Sequence, residues 1–169
     1  MNYTELIAAL SLEMRLDLAG AGRTGWTGRD GAGEQRYVIR FDDAVDVTIE
    51  AQAEAEAAAA GPAASAAGDV VHLHAALAPI GGSDPDARVG VGAGVERERL
   101  FAALMQIHLF GVATDDAYFG FDAGQDRVTL SKSQPLRGLD AAQAVRSVAS
   151  FVDQCLRWNA ALPLLAASG

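Results

Sequence analysis

The amino-acid sequence predicts a single α+β domain, in which an antiparallel sheet of about five strands packs against three helices. Alternating apolar residues mark the strands, and apolar residues at helical spacing mark the helices. Short turns and one loop-like insert join the strands, which favours antiparallel pairing over the crossover connections of a parallel sheet. The 169 residues suit one domain, and no repeat or internal boundary is visible, so we assign residues 1–169 to it.

The amino-terminal segment carries the pattern of a helix. Asn2 and Glu5 have the spacing of a capping box, in which each side chain bonds the backbone amide of the other residue. Apolar residues then recur every three or four positions, and Gly20 and Gly22 are expected to end the helix. The first element is therefore predicted to be a helix with one apolar stripe.

Three strands are predicted next along the chain. Tyr37–Phe41 and Val45–Glu50 alternate between apolar and polar residues and flank a turn at Asp42–Ala44, which is the pattern of a hairpin. Val71–Leu77 alternates in the same way, and Pro79 is expected to end it because proline cannot donate to a sheet. These three runs supply the first half of the sheet.

The carboxyl-terminal half is predicted to contain a helix, two strands and a final helix. The helix at Glu96–Leu109 is apolar over more than half of its circumference, so it should be buried on two sides. Tyr118–Phe121 and Arg127–Ser131 are the two strands. Asp140, with a glutamine three residues later, caps the last helix, and Pro163 is expected to end it. The full order is thus α-β-β-β-α-β-β-α.

Three segments are predicted to be flexible loops, near residues 20–34, 51–68 and 81–95. The first and the third are rich in glycine, whereas the second is almost entirely alanine and is broken by Gly61-Pro62. They contain few large apolar side chains, so they have little to bury in a core.

The charge balance disfavours two classes of partner, and the cysteine count indicates the redox compartment. The 13 Lys and Arg residues against 22 Asp and Glu residues give a formal net charge of −9. Nucleic acid and anionic lipid attract basic surfaces, so neither is expected to bind this chain. No secretory signal pattern or membrane span of about 20 apolar residues is present. The lone cysteine cannot form an intramolecular disulfide, which fits a reducing cytoplasm.

Residues capable of chemistry are present, but not in the patterns that catalysis requires. Gly90–Gly94 lacks the glycine spacing of a dinucleotide-binding loop. His72 and His74 share one face of a strand, yet zinc needs a third or fourth ligand, so we interpret them as polar residues on the solvent or partner face. Cys155 lies in a helical apolar stripe, which is typical of a small core residue. The chain is therefore predicted to be no enzyme and to hold no cofactor or metal.

The carboxyl-terminal half also contains short apolar motifs in a fixed order. LFAALMQIHLFG at residues 100–111 is followed by YFGFD at 118–122, RVTL at 127–130, QPL at 134–136 and GLD at 138–140. This series resembles the class I chaperones of bacterial type III secretion, the Tir chaperone family. In that family a Leu- and Asn-rich helix precedes a strand similar to Leu-Gly-Leu-Asp, a second strand, a Leu-Pro-Leu-like segment and a final helix. The resemblance covers about residues 100–162.

The resemblance implies a homodimer of α+β subunits in the bacterial cytoplasm. Members of the family bind the N-terminal region of a secreted effector as an extended segment, and they keep this virulence protein soluble and ready for secretion. They hydrolyse no nucleotide themselves, and the secretion ATPase is a further partner that the resemblance suggests. The hypothesis is therefore a chaperone for one or more effectors.

The resemblance also assigns residues to two surfaces. The middle helix and the strand after it would form the dimer contact, while the first helix and the strand faces would form the effector groove. The same apolar residues would also suit the core of one subunit, and the sequence leaves this open. The predicted dimer residues are Leu104, Ile107, His108, Phe119 and Phe121, and the predicted effector-binding residues are Leu6, Leu10, Met14, Val38 and Val47.

Two other classes of function stay open on the sequence alone. A regulatory or adaptor domain would bind a folded partner instead of an extended segment, and its amino-acid composition would be similar to that of a chaperone. A small enzyme is disfavoured because no set of polar residues is seen to converge. What the chain binds, an unfolded N-terminal segment or a folded domain, separates the first two classes.

Overall fold

The computed structural model describes residues 1–13, 36–41, 45–51, 70–79, 91–110 and 114–167. Within these ranges the chain forms three helices and five strands in the predicted order, which confirms the predicted fold class. The helices are α1 (Tyr3–Glu13), α2 (Val91–Phe110) and α3 (Ala141–Ala167), and the strands are β1 (Arg36–Phe41), β2 (Val45–Ala51), β3 (Val70–Pro79), β4 (Tyr118–Asp122) and β5 (Arg127–Pro135).

The five strands form one antiparallel sheet in the order β1-β2-β3-β5-β4. Among the described strands β1 pairs only with β2, and β4 pairs only with β5. These two strands are therefore the edges of the sheet. An edge strand presents a row of backbone N–H and C=O groups to which another chain can pair.

The strand register decides which side chains meet on each face of the sheet. One row across the sheet joins Ile39, Val47, Ala75, Leu130 and Phe119. The first four of these side chains are buried and the last, on the edge strand, is half-buried. The neighbouring row points to the opposite face and consists of Val38, Thr48, His74, Ser131 and Tyr118. The sheet thus has one apolar and one largely polar face.

The helices cover the apolar face and complete the core. α3 packs against β2 and β3 and against both α1 and α2. Phe151, in the middle of α3, is fully buried. The Tyr3 hydroxyl of α1 donates a hydrogen bond of 2.9 Å to the Ile49 carbonyl oxygen of β2, and burial raises the pKa of that hydroxyl. One layer of helices therefore lies on one side of the sheet.

Both predicted capping boxes are confirmed. The Glu5 backbone N–H donates to Asn2 Oδ1 and the Asn2 backbone N–H donates to Glu5 Oε2, each at 2.9 Å. The Gln143 N–H donates to Asp140 Oδ1 at 2.7 Å, and the Asp140 N–H donates to Gln143 Oε1 at 2.9 Å. These bonds satisfy backbone donors that have no partner inside their own helix.

Three predicted boundaries were wrong. α2 begins at Val91 and not at Glu96, so residues 91–95 of the predicted glycine-rich loop are helical. β5 runs to Pro135, because its polar residues after Ser131 pair with β3. α3 continues through the exposed Pro163 to Ala167, so this proline does not end the helix.

Several predictions concern residues outside the described ranges. The predicted loops near residues 20–34 and 51–68 lie outside these ranges, except for Ala51, which ends β2. Most of the predicted loop near residues 81–95 also lies outside them. The helix stop at Gly20 and Gly22 and the turn at Asp42–Ala44 also lie outside them.

The cap of α3 makes the first testable prediction. Asp140→Ala removes the side-chain acceptor of the Gln143 N–H, so it should lower the free energy of unfolding by about 1 kcal/mol. Asp140→Asn keeps an acceptor oxygen and is the matched control, with a loss of only a few tenths of that value. Urea denaturation measures both. Equal losses in the two variants would show that charge, and not the cap, stabilises the helix.

The buried thiol makes a second prediction. Cys155 is fully buried, and burial raises the pKa of its thiol to about 12. A thiol reagent at pH 8 should therefore modify the folded chain only at the rate of unfolding. The unfolded thiol ionises near pH 8.5 while the folded thiol keeps its proton, so stability should fall by up to about 1.4 kcal/mol per pH unit above that pH.

A Cys155→Ala variant controls for other groups that titrate in the same range. Its stability should decline less steeply than that of the unchanged chain above pH 8.5. Rapid modification of the folded chain at pH 8, without denaturant, would contradict the buried position of this residue.

Candidate protein-binding surfaces

The polar face of the sheet carries charged side chains that pair with one another. Arg40 Nε lies 2.6 Å from Asp46 Oδ1, and this hydrogen bond holds the pKa of Asp46 below its usual range. Arg36 Nε lies 3.0 Å from Glu50 Oε1. Neighbouring strands thus neutralise each other's charges, which leaves this part of the face without a concentration of one sign.

The two histidines lie on this polar face, as the alternation of β3 predicts. His72 Nδ1 is 3.0 Å from Ser133 Oγ, and His74 Nδ1 is 2.9 Å from Ser131 Oγ. Partial burial lowers the pKa of His74, which favours the neutral ring at pH 7. In the described ranges no group of three His, Cys, Asp or Glu residues is placed to hold a metal ion. The histidines form cross-strand pairs with serine.

A tight turn before β4 contains the carboxylate pair Asp115-Asp116. Both residues have positive φ, at 37° and 65°. Gln154 Nε2 of α3 donates to Asp115 Oδ2 at 3.0 Å, and Lys132 Nζ of β5 donates to the Asp115 carbonyl oxygen at 2.9 Å. Bonds from two other elements therefore hold a turn conformation that non-glycine residues seldom adopt. The contacts of Asp115 fix the point at which β4 begins.

Half-exposed aromatic side chains line the edge strand β4. Phe119 and Phe121 lie on the helix-covered side of the strand but are only half-buried. Trp158 of α3 packs edge-on against Phe119, with 4.9 Å between ring centroids, and Phe101 of α2 packs edge-on against Phe121 at 5.2 Å. We call these four residues, with the open edge of β4, the β4 surface. Aromatic area beside an unpaired strand is well suited to a protein contact.

The predicted dimer residues divide between the core and this region. Leu104 is 3% exposed and belongs to the core. Ile107 is half-buried and His108 is exposed on α2, while Phe119 and Phe121 belong to the β4 surface. Four of the five are therefore accessible in one subunit, and their contact with a second copy stays a prediction.

The opposite edge of the sheet has a second accessible apolar region. Tyr37 and Phe41 of β1 point to the same side as Ile39 but are only half-buried, because no described strand lies beyond β1. The ring of Tyr3 in α1 lies 5.9 Å from that of Tyr37. Val38 is half-buried on the other face. We call Tyr37, Val38 and Phe41, with the open edge of β1, the β1 surface.

The predicted effector-binding residues lie mostly beneath this region. Leu6, Leu10 and Val47 are at most 1% exposed, so their side chains belong to the core of the subunit. Val38 is accessible, and Met14 lies outside the described residues. Effector contact at these positions stays a prediction. Tyr37 and Phe41 were predicted as strand residues but not as binding residues, although aromatic residues at alternate positions of a first strand could have indicated an apolar edge.

Comparison with known proteins finds a family model that matches part of the chain. Residues 85–159, a little under half of the chain, match the model of the Tir chaperone protein (CesT) family. That family is one of chaperones, which agrees with the prediction that the chain is not an enzyme. The sequence matches none of the curated proteins. In the described part of the chain no helix has both the length and the apolar character for crossing a membrane.

Solved structures with the same fold include three chaperone-type complexes. The ExsC–ExsE complex matches with a TM-score of 0.55 and 21% identity over 96% of this chain and 97% of that chain. The HopA1–SchA chaperone–effector complex matches with a TM-score of 0.52 and 14% identity, over 93% and 92% of the two chains. The Yersinia pestis type III secretion chaperone SycH, solved with a fragment of YscM2, matches at 0.52 and 11%, over 92% and 98%.

The order of the described elements agrees with these structures, and the sequence motifs of residues 100–140 lie within the range that the family model matches. Residues 85–159 are thus similar to the Tir chaperone protein (CesT) family, and the described elements have the fold of solved type III secretion chaperones.

Proposed function

We propose that this chain is a cytoplasmic chaperone of type III secretion that acts as a homodimer and holds the N-terminal segment of one or more effectors. The family match at residues 85–159 carries the proposal, and similarity to the fold of a solved chaperone–effector complex supports it. The chaperone keeps the bound segment soluble until the secretion apparatus, with its ATPase, takes the effector.

The β4 surface is the proposed contact between the two copies. Phe101, Phe119, Phe121 and Trp158 are half-buried in one subunit, so a second copy would remove further aromatic area from water. The open edge of β4 lies in the same place, and natural proteins commonly cover such edges. A symmetric dimer uses the same patch on both subunits, which requires only one surface of this kind.

The β1 surface is the proposed site for the effector segment. An extended segment can add a strand to the open edge of β1 through its main chain, and its side chains can dock beside Tyr37, Val38 and Phe41. Main-chain pairing tolerates many sequences, which suits a chaperone that serves more than one effector. The net charge of −9 keeps the loaded complex soluble.

Effector binding is testable by co-expression with candidate partners encoded beside this chain. The N-terminal fragment of a partner, without its folded domain, should copurify with the chain and stay soluble. Val38→Asp should abolish copurification, because it places a charge beside the β1 edge. Leu164→Asp, which changes a 71% exposed leucine on α3, should have no effect. Binding that requires the folded domain of the partner would contradict the chaperone function and support an adaptor.

The homodimer is testable by light scattering. The chain should have about twice its monomer mass of 17.5 kDa at micromolar concentration. Met105 is 64% exposed on α2, one turn from His108, so Met105→Asp should raise the dimer dissociation constant at least about tenfold without unfolding the subunit. Leu164→Asp is again the control. A monomeric unchanged chain, or equal effects of the two variants, would contradict the proposed contact.

A further inference from the structure

Two leucines attach α2 to the core, while other apolar side chains of the helix remain accessible. Leu100 and Leu104 are each 3% exposed, yet Met105 on the same helix is 64% exposed. Phe101 and Ile107 are half-buried at intermediate positions. Apolar contact is not directional, so it specifies the rotation of a helix less exactly than contacts between groups of fixed geometry do.

Arg97 of α2 makes contacts of fixed geometry with two other elements. Its guanidinium carbon lies 4.5 Å from the ring centroid of Phe121 in β4 and 5.7 Å from that of Phe101 in α2. Its Nη1 lies 3.1 Å from Asp126 Oδ1 in the turn between β4 and β5. The two phenylalanine rings pack edge-on against each other at 5.2 Å. One planar cation therefore joins α2 to both the strand and the turn.

These contacts are suited to orienting α2, and they add little to the stability of the fold. The side chains of Arg97 and Asp126 are 40% and 50% exposed, so water screens their ion pair and its contribution to stability is small. The guanidinium is planar and donates in fixed directions, and its face stacks on aromatic rings. Turning α2 about its axis would break these contacts.

We propose that Arg97 is a positioning residue that fixes the rotation of α2 on the β4–β5 hairpin. By doing so it sets how Met105 and His108 are presented beside the β4 surface to a second copy of the chain. This role rests on the proposed homodimer, since alignment of α2 has its effect through that contact.

The dissociation constant of the dimer tests the role. Arg97→Ala should raise it about tenfold, while the midpoint of thermal unfolding stays within about 3 °C of the unchanged chain. Arg97→Lys keeps a cation near the rings but loses the planar guanidinium, so it should recover only part of the lost affinity and leave the constant raised at least about threefold. Arg146→Ala, at an exposed arginine on α3, is the control for lost charge and should change neither quantity.

Two results of the dimer measurement would overturn the proposed role of Arg97. One is an Arg97→Ala dimer as tight as that of the unchanged chain. The other is a loss of dimer that follows a matching loss of thermal stability, since this would make Arg97 a general stabilising residue.

If the proposed homodimer does not form, the unchanged chain is itself monomeric, and this result is distinct from the two above. Hydrogen exchange then decides the question within one subunit. Arg97→Ala should speed amide exchange in residues 97–108 about tenfold and leave α3 unchanged, and Arg97→Lys should reverse the effect only in part. Unchanged exchange in α2 would overturn the positioning role whatever the oligomeric state.

Discussion

The burial of the apolar face of α3 is the contact on which the rest of the structure depends. α3 packs against β2 and β3 in the middle of the sheet and against both other helices, with Phe151 fully buried at its centre. The strand row from Ile39 to Leu130 faces this layer. All three helices share this one layer, so the sheet keeps one polar face, where Arg–Asp, Arg–Glu and His–Ser pairs satisfy one another.

In the part of the chain that the structure describes, the sheet has two edges, β1 and β4, and their surroundings differ. The β4 edge has four half-buried aromatic residues and the Arg97–Asp126 ion pair beside it. Among the described residues the β1 edge has Tyr37, whose ring lies beside that of Tyr3 in α1, together with Phe41 and, on the opposite face, Val38. An aromatic and directional surface suits one fixed partner, such as a second copy. A simpler edge suits extended segments of varied sequence. Because of this difference, we propose a second copy of the chain at the β4 edge and an effector segment at the β1 edge.

The fold was predictable from the sequence wherever interactions between residues close in the chain determine the structure. Alternation along β1 to β3 and the capping boxes at Asn2 and Asp140 depend on neighbouring residues, and the structure contains them. The length of β5 was not predictable, because its polar end is a strand only through its pairing with β3. The start of α2 was hidden by glycines, which are poor helix formers in isolation.

The candidate sites were predictable only in part, for a related reason. An apolar stripe shows that a face is buried, but not whether the chain itself or a partner covers it. Leu6 and Leu10 are covered by the chain itself, whereas Phe119 and Phe121 on an edge strand remain half-exposed. Edge position depends on strand order, which follows from the insertion of β5 between β3 and β4. The two edges are clear only once that order is known.

The central claim is that the two edges serve two different partners. Hydrogen exchange of the dimer, with and without the N-terminal fragment of an effector, tests it most directly. The claim predicts that the fragment slows exchange in β1 and leaves exchange in β4 unchanged. Slower exchange in β4 on addition of the fragment, with β1 unaffected, would contradict it.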